Sequence, residues 1–558
     1  MSGHVLVVAD FLADNLVAQL ERVGLPVSAA PFDAVEATLV DPVALQGGWT
    51  VVWTRPERAI PSFGRLLAYE DVDPRDLSAE VETFAARVAA AAGRARGIFV
   101  TTWTLPATRR GLGLLELSRG AGGALLSMNA LLLECLAGVA GVYVLDAGRW
   151  VALGGGHSPK LWYLNKTPFD PKVLRAAALD IAAAIRGISG NARKIVVLDL
   201  DDTLWGGIVG EEGWENLRLG GHDPIGGALV DFQLRLKALT RRGIVLAVVS
   251  KNDEAVALEA IRSHPEMVLR IEDLAGWRIN WQDKAANIAA LAVELGLGLQ
   301  SVVFIDDDPH ERARVAEALP EVLVPEWPTD KLLYPKALDE LDCFDIPALT
   351  DEDRSRGAMY VAERQRRDLQ REVPSHEEWL RSLAITLHVE PYGPGNRTRI
   401  AQLLNKTNQF NLATRRMTEA ELDAWLTVSG RHLLGIRVAD RFGDAGLCGV
   451  LGTESGESLE ITDLLLSCRV LGRRIEEAML ALACEQAREA RLTRATATYL
   501  PTKKNRPTLD ILTKRPAVRD GDRFTWDARA EVFPETVTVE RERRCLKSQA
   551  QATTLRHD

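Results

Sequence analysis

The chain has 558 residues, and single hydrophobic cores stop growing at roughly 250 to 300 residues, so two to four domains are expected. With 47% hydrophobic and 26% charged residues and a formal net charge of −10, it has the composition of an ordinary soluble globular protein. That balance excludes a general attraction to nucleic acid or anionic lipid, because a net acidic surface repels phosphates unless a basic patch is localised.

Residues 1–190 alternate short β-rich runs (HVLVVAD, TVVWTRP, GIFVTTW, GVYVLDA) with Ala/Leu-rich helical stretches such as LSAEVETFAARVAAAAGRA. The alternation predicts parallel strands with crossover helices. The N-terminus MSGHVLVVADF has no basic region and too short an apolar core for a signal peptide. The most apolar stretch, AGGALLSMNALLLECLAGVAGVYVLD, carries Asn129, Glu134 and several glycines, so it reads as helix then strand and not as a membrane span. A second α/β series occupies 191–330, where KIVVLD, IVLAVVS and SVVFID are continuous apolar runs suited to strands buried on both faces. A polar stretch over 331–380, including AERQRRDLQREVPSHEEWLRSL, predicts a solvated linker helix. Residues 381–558 change order: a strand, two helices, a meander (HLLGIRVADR, GLCGVLG, SLEITDLLLS), the helix GRRIEEAMLALACEQAREARL and a last strand, an α+β pattern. The six cysteines (Cys135, Cys343, Cys448, Cys468, Cys484, Cys545) form neither a CxxC nor a His-paired pattern, so no zinc site or disulfide framework is expected and a cytoplasmic location fits.

Chemistry is expected at the carboxyl ends of strands in open α/β sheets. In the second series those ends are Asp199, Ser250 and the pair Asp306 and Asp307, and Lys284 opens a helix between the second and third strands. Clustered carboxylates repel unless a hard cation sits among them, and Mg²⁺ suits oxygen ligands. The expected metal ligands are Asp199, Asp201, Asp306 and Asp307. Asp199 is the expected nucleophile toward phosphorus and Asp201 the acid and base. Ser250 and Lys284 are expected to hold phosphoryl oxygens; Thr203 and Asn252 are added as substrate-binding residues. Between Thr203 and Ser250 there is room only for a flap (WGGIVGEEGWENLRLG) and one helix, so no large cap closes the site.

The set DLDDT, Ser250, Lys284 and FIDDD resembles the four motifs of the haloacid dehalogenase superfamily. The longer matches DLDDTLWGGIVGEEG, SKND, FIDDDPHER, NKTNQFNLATRR, DRFGDAGLCGV, LLSCRVLGRRIEE and YLPTKKN resemble the FkbH family over nearly the whole chain. The resemblance implies an α/β multidomain protein: a central Rossmann-like haloacid dehalogenase domain with minimal cap, an N-terminal SGNH-like α/β domain, and a C-terminal α+β GNAT-like domain. It implies a Mg²⁺-dependent enzyme of polyketide-type secondary metabolism that takes 1,3-bisphosphoglycerate, releases phosphate and places a glyceryl group on an acyl carrier protein with a phosphopantetheine arm. Partners would then be that carrier and a small phosphorylated metabolite, with no nucleic acid and no membrane.

In the C-terminal domain the resemblance points to the loop Arg469, Val470, Leu471, Gly472, Arg473, Arg474 as a phosphate cradle at a helix N-terminus. The final small residue of the acyltransferase pattern is replaced by Arg474, which suits a single phosphodiester better than a pyrophosphate. Cys468 precedes the loop and is a candidate acyl carrier. Position 200 is Leu, so no thiol stands between the two key aspartates. The N-terminal domain has VVADF where SGNH hydrolases carry a serine, and His157 follows no Asp at the late spacing, so docking or structure is expected there and not hydrolysis. Two alternatives remain open from the residues: a phosphatase of a small phosphorylated metabolite, and a non-catalytic scaffold that docks carriers.

Overall fold

The structure, a computed structural model, describes residues 3–541 apart from 42, 107–111, 117–119, 222, 348–350, 408, 503, 515 and 531, and leaves out the side chains of 112, 351–353, 355, 406 and 468. The chain is a mixed α/β protein that divides into two compact units, one of residues 1–244, 249–268 and 280–351 and one of 245–248, 269–279 and 352–558.

In the first unit, strands β1 (Val5–Ala9), β2 (Val27–Ala29), β3 (Trp49–Trp53), β4 (Gly97–Thr101) and β5 (Val142–Leu145) form a parallel sheet in the order β2, β1, β3, β4, β5. Side chains alternate across a strand, so each one supplies two cores. Val5, Val7, Trp49, Val51, Trp53 and Phe99 pack on one face with the helix Pro171–Ile188, while Val8, Val52, Ile98 and Val100 pack on the other with the helices Pro74–Ala91 and Ala121–Leu136.

Asp10 follows β1 and is buried, with Arg55 Nε 3.4 Å from one carboxylate oxygen and the Arg55 backbone N–H 3.0 Å from the other. Burial outweighs the arginine and pushes its carboxyl up to about 6. The folded chain therefore holds this proton more tightly than the unfolded chain does. The resulting stabilisation is complete below about pH 4 and is lost as the pH rises through about 6, a change of about 3 kcal/mol. Asp10→Asn, which mimics the protonated acid, is expected to flatten this slope: urea midpoints of the parent chain should fall between pH 4 and 6.5 by more than those of the variant.

The second series of strands is β6 (Ile195–Leu198), β7 (Val245–Ser250), β8 (Leu274–Ile279) and β9 (Val302–Ile305), in the sheet order β8, β7, β6, β9, with β6 and β9 parallel. Every residue of β6, β7 and β9 is buried, as continuous apolar runs require. The polar-linker expectation for 331–380 meets a difference here. Residues up to 351 belong to the first unit, where Tyr334 packs edge-on against Trp327 and Phe232, and Leu338 and Phe344 are buried. Three large side chains, Tyr334, Leu338 and Phe344, among charged ones were enough to seat this segment on the core. The charged stretch itself forms helices Asp351–Glu372 and His376–Leu383.

The second unit is built on a long sheet in the order β16, β17, β15, β14, β13, β12, β10, β18, with β11 added on β14. Its strands are β10 (Ile385–Pro391), β11 (Phe410–Asn411), β12 (Arg431–Asp440), β13 (Gly443–Ser455), β14 (Leu459–Leu466), β15 (Arg494–Thr498), β16 (Val518–Asp520), β17 (Arg523–Asp527) and β18 (Val537–Arg541). The helix Ile475–Glu489 buries Ile475, Ala478, Met479, Leu482 and Ala483 in the same core as Ile436, Leu451 and Leu464. Parallel β14 and β15 pair only from Leu459 to Ile461, and Leu412 enters beyond that point, donating to Leu464 O and accepting from Leu500 N–H, both at 3.0 Å. Asn505 holds the insertion by donating to Asn411 O and accepting from Tyr499 and from Thr502 N–H. NKTNQFNL and YLPTKKN are thus two halves of one buried hydrogen-bond network.

Candidate active site

Three strand ends meet in the first unit. Asp199 follows β6, Ser250 ends β7 and Asp306 follows β9, and all three side chains are buried. Lys284, 4% exposed at the start of the helix Lys284–Glu294, places its ammonium 2.9 Å from Asp199 and 2.6 Å from Asp306. A lysine in a first helical turn opposes the helix dipole, and here two carboxylates compensate it. Burial lowers the proton affinity of Lys284, but Asp199 and Asp306 outweigh it and hold the group charged above its ordinary range. Burial raises Asp199, against the pull of Lys284; Asp306 is pushed up to about 6 by burial and by Asp199 beside it.

Ligand oxygens of Asp199, Asp306 and Asp307 lie within 4.8 Å of one another. One of them, Asp199 Oδ1, is fully buried and makes no well-directed hydrogen bond although Lys284 is near. One ammonium, 2.9 Å from that oxygen, does not balance three clustered carboxylates. An all-oxygen trio of this charge fits a hard divalent cation such as Mg²⁺, and Asp199, Asp306 and Asp307 are the residues that would hold it.

The carboxylate of Asp201 is turned away from this trio. It accepts hydrogen bonds from Trp205 Nε1 at 2.8 Å, Val209 N–H at 3.1 Å and Asn252 Nδ2 at 2.8 Å, and burial raises its proton affinity. A carboxyl held off the cluster, more easily protonated than usual, suits proton transfer. Thr203 and Asn252, expected to touch substrate, bond to the acids: enclosed Thr203 donates to Asp307 Oδ1 and accepts from Asp307 N–H, and Asn252 holds Asp201.

Asp202 is in the left-handed region (φ 57°), accepts from Gly207 N–H, and pairs with Lys331 at 3.0 Å. This fixes the turn that carries Asp201. Asp202→Gly should retain stability to within about 1 kcal/mol, whereas Asp202→Val should lose about 1–3 kcal/mol, because a β-branched residue resists positive φ; chemical denaturation of the two variants checks the difference. Sequence reasoning missed Trp205, Lys331 and Arg312, whose guanidinium donates to the carbonyls of Asp306 and Asp307 at 2.7 Å. Trp205 and Arg312 lie inside quoted motifs, at one helical turn or so from the acids; nothing in the sequence marks Lys331.

In the second unit the loop expected to cradle phosphate is filled from within. Gly472 N–H donates to Glu476 Oε1 at 2.7 Å, and Glu476 is buried. Arg473, 4% exposed, meets Glu363 at 2.6 Å and Asp440 at 3.4 Å. Arg474 pairs with Glu377, and Arg469 contacts Ser467 and Met359. Arg469, Gly472 and Arg473 therefore face internal partners; the side chain of Cys468 lies outside the described residues. Cys343, Cys448 and Cys484 are buried, and burial raises the thiols of Cys343 and Cys448. Among the described residues no helix is long and apolar enough to cross a membrane.

No protein-family model matches the chain and no curated protein does. Among solved structures, the N-terminal part of the protein BF1531 from Bacteroides fragilis, described as containing a phosphatase domain complexed with Mg, is similar at 26% identity and a TM-score of 0.56, over 62% of this chain and 94% of that one. This likeness supports a phosphatase of the haloacid dehalogenase type. Spermidine N-acetyltransferase from Vibrio cholerae in complex with CoA and spermine matches at 12% identity and TM-score 0.21, over 26% of this chain and 96% of that one. A GNAT-family acetyltransferase from Staphylococcus aureus Mu50 matches at 8% and 0.21, over 25% and 99%. At such scores the last two decide nothing about chemistry.

Proposed function

We propose that the chain is a Mg²⁺-dependent phosphoryl-site enzyme that strips phosphate from a phosphorylated three-carbon acyl unit, 1,3-bisphosphoglycerate, and delivers the glyceryl group to the thiol of an acyl carrier protein. The observation that carries the phosphatase part is the cluster of buried Asp199, Asp306 and Lys284 with half-buried Asp307, and Asp201 held beside it. Asp199, Asp306 and Asp307 would hold Mg²⁺, which would supply charge neutralisation at the phosphoryl oxygens. Asp199 attacks phosphorus and the bond from phosphorus to the leaving oxygen breaks, while Asp201 gives that oxygen its proton. Lys284 and Ser250 hold the remaining phosphoryl oxygens. Asp201 then takes a proton from water, which attacks the aspartyl phosphate, frees inorganic phosphate and restores Asp199.

Attack on the phosphorus of an acyl phosphate would return a free carboxylate, which cannot acylate a thiol. The transfer must therefore proceed by thiolate attack on the acyl carbon, breaking the bond from carbon to phosphate oxygen, and the Asp199 site serves the phosphomonoester at the other end of the glyceryl unit. The product is a glyceryl thioester with both phosphates released. With Leu200 between the aspartates, the thiol comes from the carrier or from elsewhere in this chain. The N-terminal domain, resembling an SGNH fold but with Asp10 after β1, serves as a docking or structural module in this reading.

Intact-protein mass spectrometry of a holo carrier protein with enzyme, Mg²⁺ and 1,3-bisphosphoglycerate should show a gain of one glyceryl group; no gain on any plausible carrier sinks the transfer. One observation favours the second reading, a plain phosphatase of a small phosphorylated metabolite: the amide of Gly472 and the guanidinium of Arg473, which a carrier's phosphodiester would need, are taken by Glu476, Glu363 and Asp440. Saturable phosphate release that needs no thiol acceptor would decide for it.

A further inference from the structure

On one face of the N-terminal sheet the helices Asp14–Arg22 and Pro171–Ile188 pack into a common core through Leu16 and Leu20 of the first and Leu174, Ala177 and Ala178 of the second. Their outer sides leave a groove of about 530 Å³, whose lining includes Gln19, Arg22, Val23, Lys172, Arg175 and Leu179. Three of the residues that line it are cations and none is an acid. Elsewhere in the same domain arginines are neutralised: Arg58 meets Asp33, Arg65 meets Glu70, Arg87 meets Glu36 and Arg149 meets Asp180. Arg22, Lys172 and Arg175 are exposed and pair with no carboxylate among the described residues.

The fold does not account for this trio. Arg22 ends its helix, where a positive charge suits the dipole, but Lys172 is the second residue of the other helix, where it opposes the dipole. Three like charges on one groove also repel one another until an anion comes between them. Leu179, 43% exposed, adds an apolar side chain about 10 Å along the helix from Lys172, so the groove joins a cationic stretch to an apolar one over roughly two helical turns.

We propose that this groove docks an acidic amphipathic helix of a partner protein, with carboxylates at i, i+3 and i+4 spacing facing Arg22, Lys172 and Arg175 and an apolar side chain against Leu179. An extended segment would dock by pairing with a strand edge, and no strand lines the groove. Charge supplies the selectivity: a chain of net charge −10 repels an acidic partner over most of its surface and admits it where unpaired cations are gathered. Docking here is independent of the chemistry at Asp199.

The test titrates the full chain into a fluorescein-labelled, stapled helical peptide of about 15 residues that carries such a face of Glu and Leu. Anisotropy should give a Kd that weakens as salt rises and is about tenfold weaker for the triple variant Arg22→Gln, Lys172→Gln, Arg175→Gln. Leu179→Ala should weaken it too, with the salt dependence kept. The charge-reversed variant Arg22→Glu, Lys172→Glu, Arg175→Glu should bind instead a peptide with Lys in place of Glu. All of these positions are exposed, and urea midpoints check that each variant is folded. No binding to the parent chain, or equal affinity for the parent and the triple Gln variant, overturns the assignment. So does a single-stranded oligonucleotide that binds as tightly as the peptide and is lost in the same variant, since the groove would then take any polyanion.

Discussion

Asp199→Asn is expected to lower phosphate release on the order of 10⁴-fold or more, with the fold intact, because it removes the attacking atom while keeping the side chain's shape. The Asp199 carboxylate stands among those of Asp306 and Asp307, with the Lys284 ammonium 2.9 Å from its Oδ1. Asn also removes one of the negative charges that repel Asp306 and Asp307, and Lys284 keeps Asp306 at 2.6 Å. Thermal stability without metal should therefore hold or rise, while the stabilisation conferred by added Mg²⁺ shrinks, since one of three ligands has lost its charge. Asp201→Asn should cost less, about 10²–10⁴-fold, and most for poor leaving groups, as loss of a general acid does. Steady-state phosphate release with leaving groups of graded basicity, alongside melting curves with and without Mg²⁺, separates the two aspartates. Residual activity of Asp199→Asn above about 1% of the parent would remove Asp199 from the nucleophile's role.

The positions of the chemistry were legible because strand ends and helix starts are local events. A run such as IVVL followed by Asp, or SVVFI followed by three Asp, says both that the strand is buried and where it stops, and the sheet then brings Asp199, Ser250 and Asp306 together. Side-chain partners were not legible. Thr203 and Asn252 have the types that bind phosphate, yet Thr203 meets Asp307 across 104 residues and Asn252 meets Asp201 across 51, which spacing cannot reveal. Arg473 is expected in a loop that cradles phosphate at a helix N-terminus. Its partner Glu363 sits 110 residues earlier on a helix read only as solvated, and the pairing accompanies burial of the Arg473 side chain. Lys331 and Tyr334 were lost for a similar reason, since a mostly charged stretch hid the few apolar residues that seat it near Asp202.

Lys284→Met is expected to have the largest effect on stability, about 3–5 kcal/mol in the absence of metal, because deleting one partner of a buried ion pair leaves the others uncompensated. Lys284 is the ammonium that faces both Asp199 and Asp306 at hydrogen-bonding distance, and Asp307 stands beside them. Met fills the volume, so the loss is electrostatic and not a cavity. Two consequences distinguish this account from ordinary damage to the core. Added Mg²⁺ should stabilise Lys284→Met by more than it stabilises the parent, because a cation among the carboxylates supplies the charge the lysine gave up and no longer shares them with it. Combining Lys284→Met with Asp199→Asn should cost less than the sum of the two single changes, since removing a carboxylate relieves repulsion that the lysine no longer balances. Urea denaturation of the four chains, each with and without Mg²⁺, measures both. A double variant whose loss equals the sum of the single ones would mean that Lys284 acts through packing, and the cluster's charge balance would no longer explain why a buried lysine stands at the end of this sheet.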